Sequence, residues 1–293
     1  MPDISVIIVN YNGAHFLAEC LDALFESPLS LEVIVVDNAS KDDSAAVLGS
    51  FQAKCGALLS VIWNDQNKGF GAANNQGAAV AKGDYLFLLN NDTKINPQTL
   101  PILWGFCKSQ PRLGAASPKL CHADGSLQAQ GSLLGHWQFK GDHPRKVSFI
   151  AGAAVMIKRR IYQEMNGFDE NFFFYNEDID LCKRLLKKGL EIYYVPGANL
   201  IHYGGLSTQS IKPTAVIEGY RGGLYVAYKH FPRWVYHVYR VVLLLDIGPK
   251  WLFYTLWGIR NKQKKNMSYI YKAIFLIDAR QEILCKGGHP SRV

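Results

Sequence analysis

The chain has 293 residues, 48% of them hydrophobic, which supplies a large buried core and excludes wholesale disorder. Its formal charge of +8 is unevenly spread: residues 1–210 carry 18 Lys/Arg against 20 Asp/Glu, whereas residues 211–293 carry 14 against 4. With 14 of the 36 aromatic residues in that last stretch, the pattern predicts a body, 1–210, followed by a basic, aromatic appendage, 211–293. The cysteines at 20, 55, 107, 121, 182 and 285 form no CxxC pair, which argues against a disulfide framework and for a cytosolic compartment. No signal peptide is expected, because the N-terminus runs straight into an apolar strand.

In chain order, Ile4–Val9, Leu31–Val36, Leu59–Trp63 and Tyr85–Leu89 read as near-continuous apolar strands. Helical spacing occupies Ala14–Glu26, Asp42–Ala53 and Gly71–Ala81 between them. This alternation predicts an α/β fold with a mostly parallel sheet covered on both faces. Ligands of such sheets sit at the carboxyl ends of the strands. Three of those ends are polar: Asn10-Tyr11-Asn12, Asp37-Asn38-Ala39-Ser40 and Asn90-Asn91-Asp92. Asn and Asp are also ordinary turn and N-cap residues, so it is the coincidence of three clusters that points to a site.

Glycines at 125, 131, 135 and 141 mark turns in the middle section, and Val147–Ile157 reads as a strand. A helix is predicted from Lys158-Arg159-Arg160 to about Asn166-Gly167, and a strand over Glu191–Val195 ahead of Pro196-Gly197. Between them lies Tyr175-Asn176-Glu177-Asp178-Ile179-Asp180-Leu181-Cys182-Lys183-Arg184, where three carboxylates open an amphipathic helix. A helix N-terminus favours ionised carboxylates, and one aimed into a cleft is a ready general base; acids also favour the first helical turn for stability alone.

In the appendage, Val235–Trp257 is rich in Val, Leu, Trp, Phe and Tyr but is interrupted by His237, Arg240, Asp246, Pro249 and Lys250. That excludes a spanning helix, which needs about 20 mostly apolar residues. Helices lying in an anionic membrane interface fit better, with Arg260, Lys262, Lys264 and Lys265 adding charge. A soluble helical subdomain is the alternative. Nucleic-acid binding is not favoured, since charge alone serves membranes equally well.

Five motifs in order carry a family resemblance: Asp37-Asn38-Ala39-Ser40; Asn67-Lys68-Gly69-Phe70-Gly71-Ala72-Ala73-Asn74-Asn75-Gln76-Gly77; Asn90-Asn91-Asp92-Thr93; Asn166-Gly167-Phe168-Asp169-Glu170; and Asn176-Glu177-Asp178-Ile179-Asp180. Together they resemble family 2 inverting glycosyltransferases of the Rossmann-like GT-A fold, in particular the rhamnosyltransferase-like branch, over residues 3–208. The resemblance implies sugar transfer from a dTDP- or UDP-sugar to a glycan or a polyprenyl-diphosphate-linked acceptor in cell-surface polysaccharide synthesis; the missing Gln-x-x-Arg-Trp motif of processive synthases argues for single-sugar addition, and the basic, aromatic tail for a place at the inner face of the cell membrane. It implies Asp178 as the base, with Glu177 and Gly152 as acceptor or supporting residues; Asp180 and Arg184, supporting residues at i and i+4, are spaced to pair and brace the helix. Donor binding falls to Asn10, Asn12, Asp37, Lys68, Gly69, Asn74 and Asn91. Asp92 and His202 would hold Mg²⁺ or Mn²⁺, with Gly204-Gly205 and Ser207-Thr208 as a loop over the site.

Asn90 stands where the family's Asp-x-Asp motif has its first Asp. That departure supports an alternative, a degenerate GT-A protein that binds nucleotide or glycan without turnover. A nicotinamide-dependent oxidoreductase is disfavoured, because Asn-Tyr-Asn-Gly follows the first strand where G-x-G-x-x-G would be required.

Overall fold

The computed structural model describes residues 2–128, 130, 136–204, 212–257 and 262–277. Gly131, Gly135, Gly205, Ser207, Thr208, Arg260 and Cys285 lie outside the described residues. The chain divides into two compact units: one comprises residues 1–173 and 177–210, the other residues 174–176 and 211–293.

In the first unit the strands are β1 (Ile4–Asn10), β2 (Leu31–Asp37), β3 (Leu59–Trp63), β4 (Tyr85–Asn90), β5 (Thr93–Ile95), β6 (Leu113–Cys121), β7 (Arg145–Lys146), β8 (Ala154–Lys158) and β9 (Glu191–His202). Its helices are α1 (Ala14–Phe25), α2 (Ser44–Cys55), α3 (Phe70–Val80), α4 (Thr99–Ser109), α5 (Arg159–Glu164) and α6 (Glu177–Lys187). One sheet runs in the order β3-β2-β1-β4-β8-β6-β9-β5, with β7 on β9. From β3 to β4 all pairings are parallel. Beyond β4 the sheet is mixed, because β8 enters antiparallel, Leu89 opposite Ala154.

Alternation along the strands divides the core in two. Ile4, Val6 and Ile8 of β1 pack with Leu17, Leu21 and Leu24 of α1, Leu48 of α2 and Leu100 and Leu103 of α4. Ile7 joins Ile34, Leu86 and Leu88 on the opposite face, under Ala78 of α3, Tyr162 of α5 and Leu181 and Leu185 of α6. The strands are apolar throughout because both faces are covered. At Gly77, α3 approaches β1 so closely that a Cβ would lie 2.6 Å from Ile7.

Two predicted strands differ from the observed ones. Val147–Ile157 is not one strand: β7 ends at Lys146 and β8 starts at Ala154. The intervening Gly152 N–H is taken by a side-chain carboxylate instead of a neighbouring strand. The strand from Glu191 does not stop at Val195 but continues to His202. Pro196, which has no N–H to donate, is accommodated by a bulge: Pro118 opposes Val195, and the next β6 residue, Lys119, opposes Asn199. The predicted helix after Lys158 is shorter than expected, ending at Glu164.

The second unit contains α7 (Lys212–His230), α8 (Arg233–Trp257) and α9 (Lys262–Leu276). Leu224 and Ala227 of α7, Tyr236, Leu243 and Ile247 of α8, and Ile270 and Ile274 of α9 form its core. No helix among the described residues is long and apolar enough to cross a membrane. Elsewhere α8 leaves large apolar side chains in solvent, among them Trp234, Val238, Val241, Leu245, Leu252 and Leu256.

Candidate active site

In register, Asn10 lies opposite Asp37, and Val9 opposite Asn90, so the carboxyl ends of β1, β2 and β4 finish side by side. Their side chains form one buried relay. Asn91 donates to Asn10 Oδ1 at 2.7 Å, and Asn10 Nδ2 donates to Asp37 Oδ2 at 2.8 Å. Asp37 Oδ1 accepts from the Ser40 N–H at 2.9 Å. Ser40 Oγ in turn receives the Asn12 N–H, and Asn12 Oδ1 receives the Lys41 N–H. Two residues of these turns are left-handed, Asn12 at φ 50° and Ala39 at φ 65°. Gly13 is required here, since a Cβ would lie 1.9 Å from the Asn91 amide. Both Asp37 oxygens thus already accept a bond, and Asn10 and Asn91 tie the three strand ends into one floor.

The glycine-rich turn before α3 is tied to the same floor. Asn38 donates to Asn67 Oδ1 and to the Gly69 carbonyl, and accepts the Lys68 N–H. Gly69 stands at φ 87°, and a Cβ there would lie 2.5 Å from the Phe173 carbonyl. Lys68 itself is exposed, whereas Asn74 is buried with its amide given to the Phe70 carbonyl, one turn back in its own helix.

Asp92 and His202 are brought together by the short β5–β9 ladder, in which Thr93 opposes His202. His202 Nε2 lies 3.2 Å from Asp92 Oδ1 and 3.3 Å from the Asn90 amide. Its Nδ1 is 2.7 Å from Gln128 Oε1, which only accepts, so that nitrogen carries the hydrogen and Nε2 faces the carboxylate. A carboxylate oxygen and an imidazole nitrogen converging on one point could share a divalent cation if further ligands came from outside the protein. Among the described residues no group of three or more His, Cys, Asp or Glu gathers for a metal.

The acidic motif opens α6 as its sequence predicts. Asp178 Oδ2 accepts the Gly152 N–H at 2.9 Å and Oδ1 the Ile179 N–H at 2.8 Å. Burial pushes the Asp178 carboxyl above the ordinary range, with these N–H groups opposing the rise. Glu177 is 5% exposed, and its Oε2 has no partner among the described residues. Burial first, and then the neighbouring Asp178 charge, raise the Glu177 carboxyl well above its usual value. Asp180 is fully buried and takes Arg184 Nε at 2.7 Å, while the other Arg184 nitrogens reach the carbonyls of Met165 and Gly167. These contacts brace the turn at Asn166-Gly167.

Gln128 and Gln130 were not singled out from sequence. Gln130 is buried, accepts the Ala151 N–H at Oε1 at 3.2 Å, and has an amide nitrogen without a partner among the described residues. Both lie in the irregular stretch after β6, where no periodicity marks a residue as inward-facing.

Known proteins fit this geometry. The model for "Glycosyl transferase family 2" matches residues 5–165, and that for "Glycosyl transferase family group 2" matches residues 133–280. The mannosyltransferase PcManGT from Pyrobaculum calidifontis, solved with GDP-Man and Mn²⁺, superposes with a TM-score of 0.61 at 15% identity, covering 98% of this chain and 88% of that one. The fold is therefore that of GT-A proteins, and the chain belongs to glycosyl transferase family 2.

An N-acetylglucosaminyl-diphospho-decaprenol L-rhamnosyltransferase of Mycobacterium tuberculosis is 28% identical over 244 residues, 69% of this chain and 76% of the relative. The O-antigen biosynthesis protein RfbC of Myxococcus xanthus is 26% identical over 71% of this chain, which spans only 18% of that relative's length. Rhamnosyltransferase WbbL of Escherichia coli K12 is 42% identical over 57 residues, 20% of this chain and 22% of the relative.

Proposed function

We propose that this glycosyltransferase moves one sugar, an L-rhamnosyl unit, from a dTDP- or UDP-sugar to a hydroxyl of a lipid-diphosphate-linked glycan, inverting the anomeric carbon. The observation that carries the reading is Asp178, a carboxylate fixed by two backbone N–H groups on the first turn of α6. Asp178 takes the proton of the acceptor hydroxyl as that oxygen bonds to the anomeric carbon. The bond from that carbon to the diphosphate oxygen breaks on the opposite face, and its electron pair leaves with the diphosphate. The raised Asp178 carboxyl is a stronger base than a solvated one. Gly152 aims it, and Glu177 borders the acceptor.

Asn10, Asn12, Asp37 and Asn91 would shape the nucleoside pocket, and Lys68, Gly69 and Asn74 the turn over the sugar. Asp92 and His202 would hold Mg²⁺ or Mn²⁺, which when bound neutralises charge growing on the leaving diphosphate. The rhamnosyl and lipid-linked assignments rest on the names of the mycobacterial and Escherichia coli relatives.

Residues 211–293 would dock the enzyme on an anionic membrane, the inner face of the cell membrane, with the exposed apolar side chains of α8 among the headgroups. Leu245→Glu should then lower binding to phosphatidylglycerol vesicles; undiminished sedimentation with them would remove that role.

Transfer and hydrolysis should be measured across dTDP-rhamnose and common UDP-sugars, with Mg²⁺, Mn²⁺ or chelator. Metal-dependent use of one donor supports the reading. Donor binding without turnover on any acceptor would favour a binding protein, the reading that Asn90 motivates.

A further inference from the structure

We propose that Gln130 binds the transferred sugar: its free side-chain amide donates a hydrogen bond to a hydroxyl of that sugar, between the Asp92–His202 pair and Asp178. The inference rests on the reading of Asp178 as the base and of Asp92–His202 as the end that receives the leaving diphosphate.

Its starting point is a donor without an acceptor. Gln130 is 2% exposed, and its Nε2 has no partner among the described residues. Which end of the amide is free follows from its surroundings. Oε1 accepts the Ala151 N–H at 3.2 Å, and a nitrogen turned to that N–H would set donor against donor. Buried donors in folded proteins are almost always paired, because an unpaired one gives up its bonds to water without replacement. A buried amide kept unpaired beside a candidate active site is accounted for by a partner that arrives from outside the chain.

The position of Gln130 says which part of a nucleotide sugar that partner is. Ala151, Gly152 and Ala153 tie the site together. The Ala151 N–H goes to Gln130, the Gly152 N–H goes to Asp178 Oδ2 at 2.9 Å, and the Ala153 carbonyl accepts the Asn90 N–H at 2.9 Å. Asn90 in turn has its amide 3.3 Å from His202 Nε2. On the other side, Gln128 holds His202 Nδ1 and stands two residues before Gln130, a separation of at most about 7 Å along the chain. Gln130 is thus linked by one short path to the base and by another to the pair that faces the leaving group. In an inverting displacement the attacked carbon lies between the attacking and the leaving oxygen, so the sugar ring occupies the interval that these paths bound. The diphosphate belongs at the Asp92–His202 end, which leaves the neutral hydroxyls of the ring as acceptors for a group that can only donate. A buried donor built for a hydroxyl also rejects sugars that lack it, so Gln130 contributes specificity as well as affinity.

The test measures Kd by calorimetry on the full chain with Mn²⁺, for dTDP and UDP and for dTDP-rhamnose and common UDP-sugars, in wild type, Gln130→Met and Asp178→Asn. Methionine keeps the length of the side chain and removes its N–H. The expected result is that Gln130→Met binds the nucleoside diphosphate within about twofold of wild type and the accepted nucleotide sugar about three- to tenfold more weakly. Donors lacking one ring hydroxyl sharpen this. In wild type one such donor should bind about tenfold or more weakly than its parent, since it strands the buried amide, and in Gln130→Met the same deletion should cost nothing. A Gln130→Met variant that keeps the wild-type difference between nucleotide and nucleotide sugar would overturn the inference. So would an equal loss for both ligands, which marks a merely structural role through Ala151. Should that variant fail to fold, the deoxy donors decide on wild type alone: a tenfold loss for one of them supports the contact, and tolerance of every single deletion overturns it. Asp178→Asn should keep the sugar-dependent affinity and lose transfer; transfer by that variant overturns the base reading and leaves the Gln130 contact to the binding data. A wild type that binds neither the nucleoside diphosphates nor the nucleotide sugars would overturn the donor reading on which both depend.

Discussion

At the ends of β1, β2 and β4, Asn91 donates to Asn10, Asn10 to Asp37, and the Ser40 N–H closes the relay on the second Asp37 oxygen. At the start of α6, a buried glutamate keeps an oxygen without a described partner, a second carboxyl is raised by burial, and two left-handed residues lead in. Satisfied hydrogen bonds make the first region a rigid floor. The second holds unfavourable terms, a desolvated carboxylate and a constrained backbone. On the proposed reading, binding and reaction fall to opposite kinds of construction.

The sharpest way to break this contrast is Asp178→Asn. It should lower kcat by about 10²–10⁴, the range for loss of a general base, with donor affinity measured by calorimetry unchanged. Next in size is the Asp92–His202 pair. Asp92→Ala should abolish the dependence of donor binding on Mn²⁺, and Gln128→Ala should weaken Mn²⁺ affinity about 10–100-fold by freeing the His202 ring; paramagnetic resonance of the ion reads both without turnover. A smaller effect is expected in the floor, where Asn10→Ala leaves Asp37 and Asn91 without a shared partner. It should cost about 1–3 kcal/mol of stability in urea unfolding and raise donor KM.

The smallest effect concerns Glu177 and is seen only against pH. Its carboxyl titrates higher folded than unfolded, so the folded state binds that proton more tightly. The resulting stabilisation is complete below pH 4.5 and is lost as pH rises towards about 8. Glu177→Gln should flatten the unfolding midpoint over that window and exceed wild type at its upper end. An unchanged pH profile would mean the carboxylate is well solvated.

The contrast also explains what the sequence made legible. Apolar runs predicted β1 to β4 within a residue, because strands buried on both faces admit little else. The polar ends showed as Asn and Asp clusters, since a turn and a ligand floor demand the same residue types. The acidic start of α6 and its Asp180–Arg184 pair follow from helical spacing. Less was legible after β4, where strands are paired by residues distant in sequence and a proline sits inside β9. Gln128 and Gln130 went unnoticed because their roles come from a fold-level meeting with His202 and Ala151.

The bulge in β9 places a constraint on how this chain can change in length. Val195 and Asn199 oppose adjacent residues of β6, so Pro196, Gly197 and Ala198 have no counterparts there. Side chains along a strand alternate between faces, and His202 meets Asp92 from the far end of this one. The four steps from Val195 to Asn199 match a single step of β6, so alternation is already broken there, and His202 takes its face from the pairing beyond the bulge, Cys121 with Ile201 and Thr93 with His202. Changes of length are therefore tolerated within residues 196–198, where they leave that pairing in register, whereas a one-residue change beyond Asn199 would move the histidine off Asp92, an effect that no substitution scan would reveal.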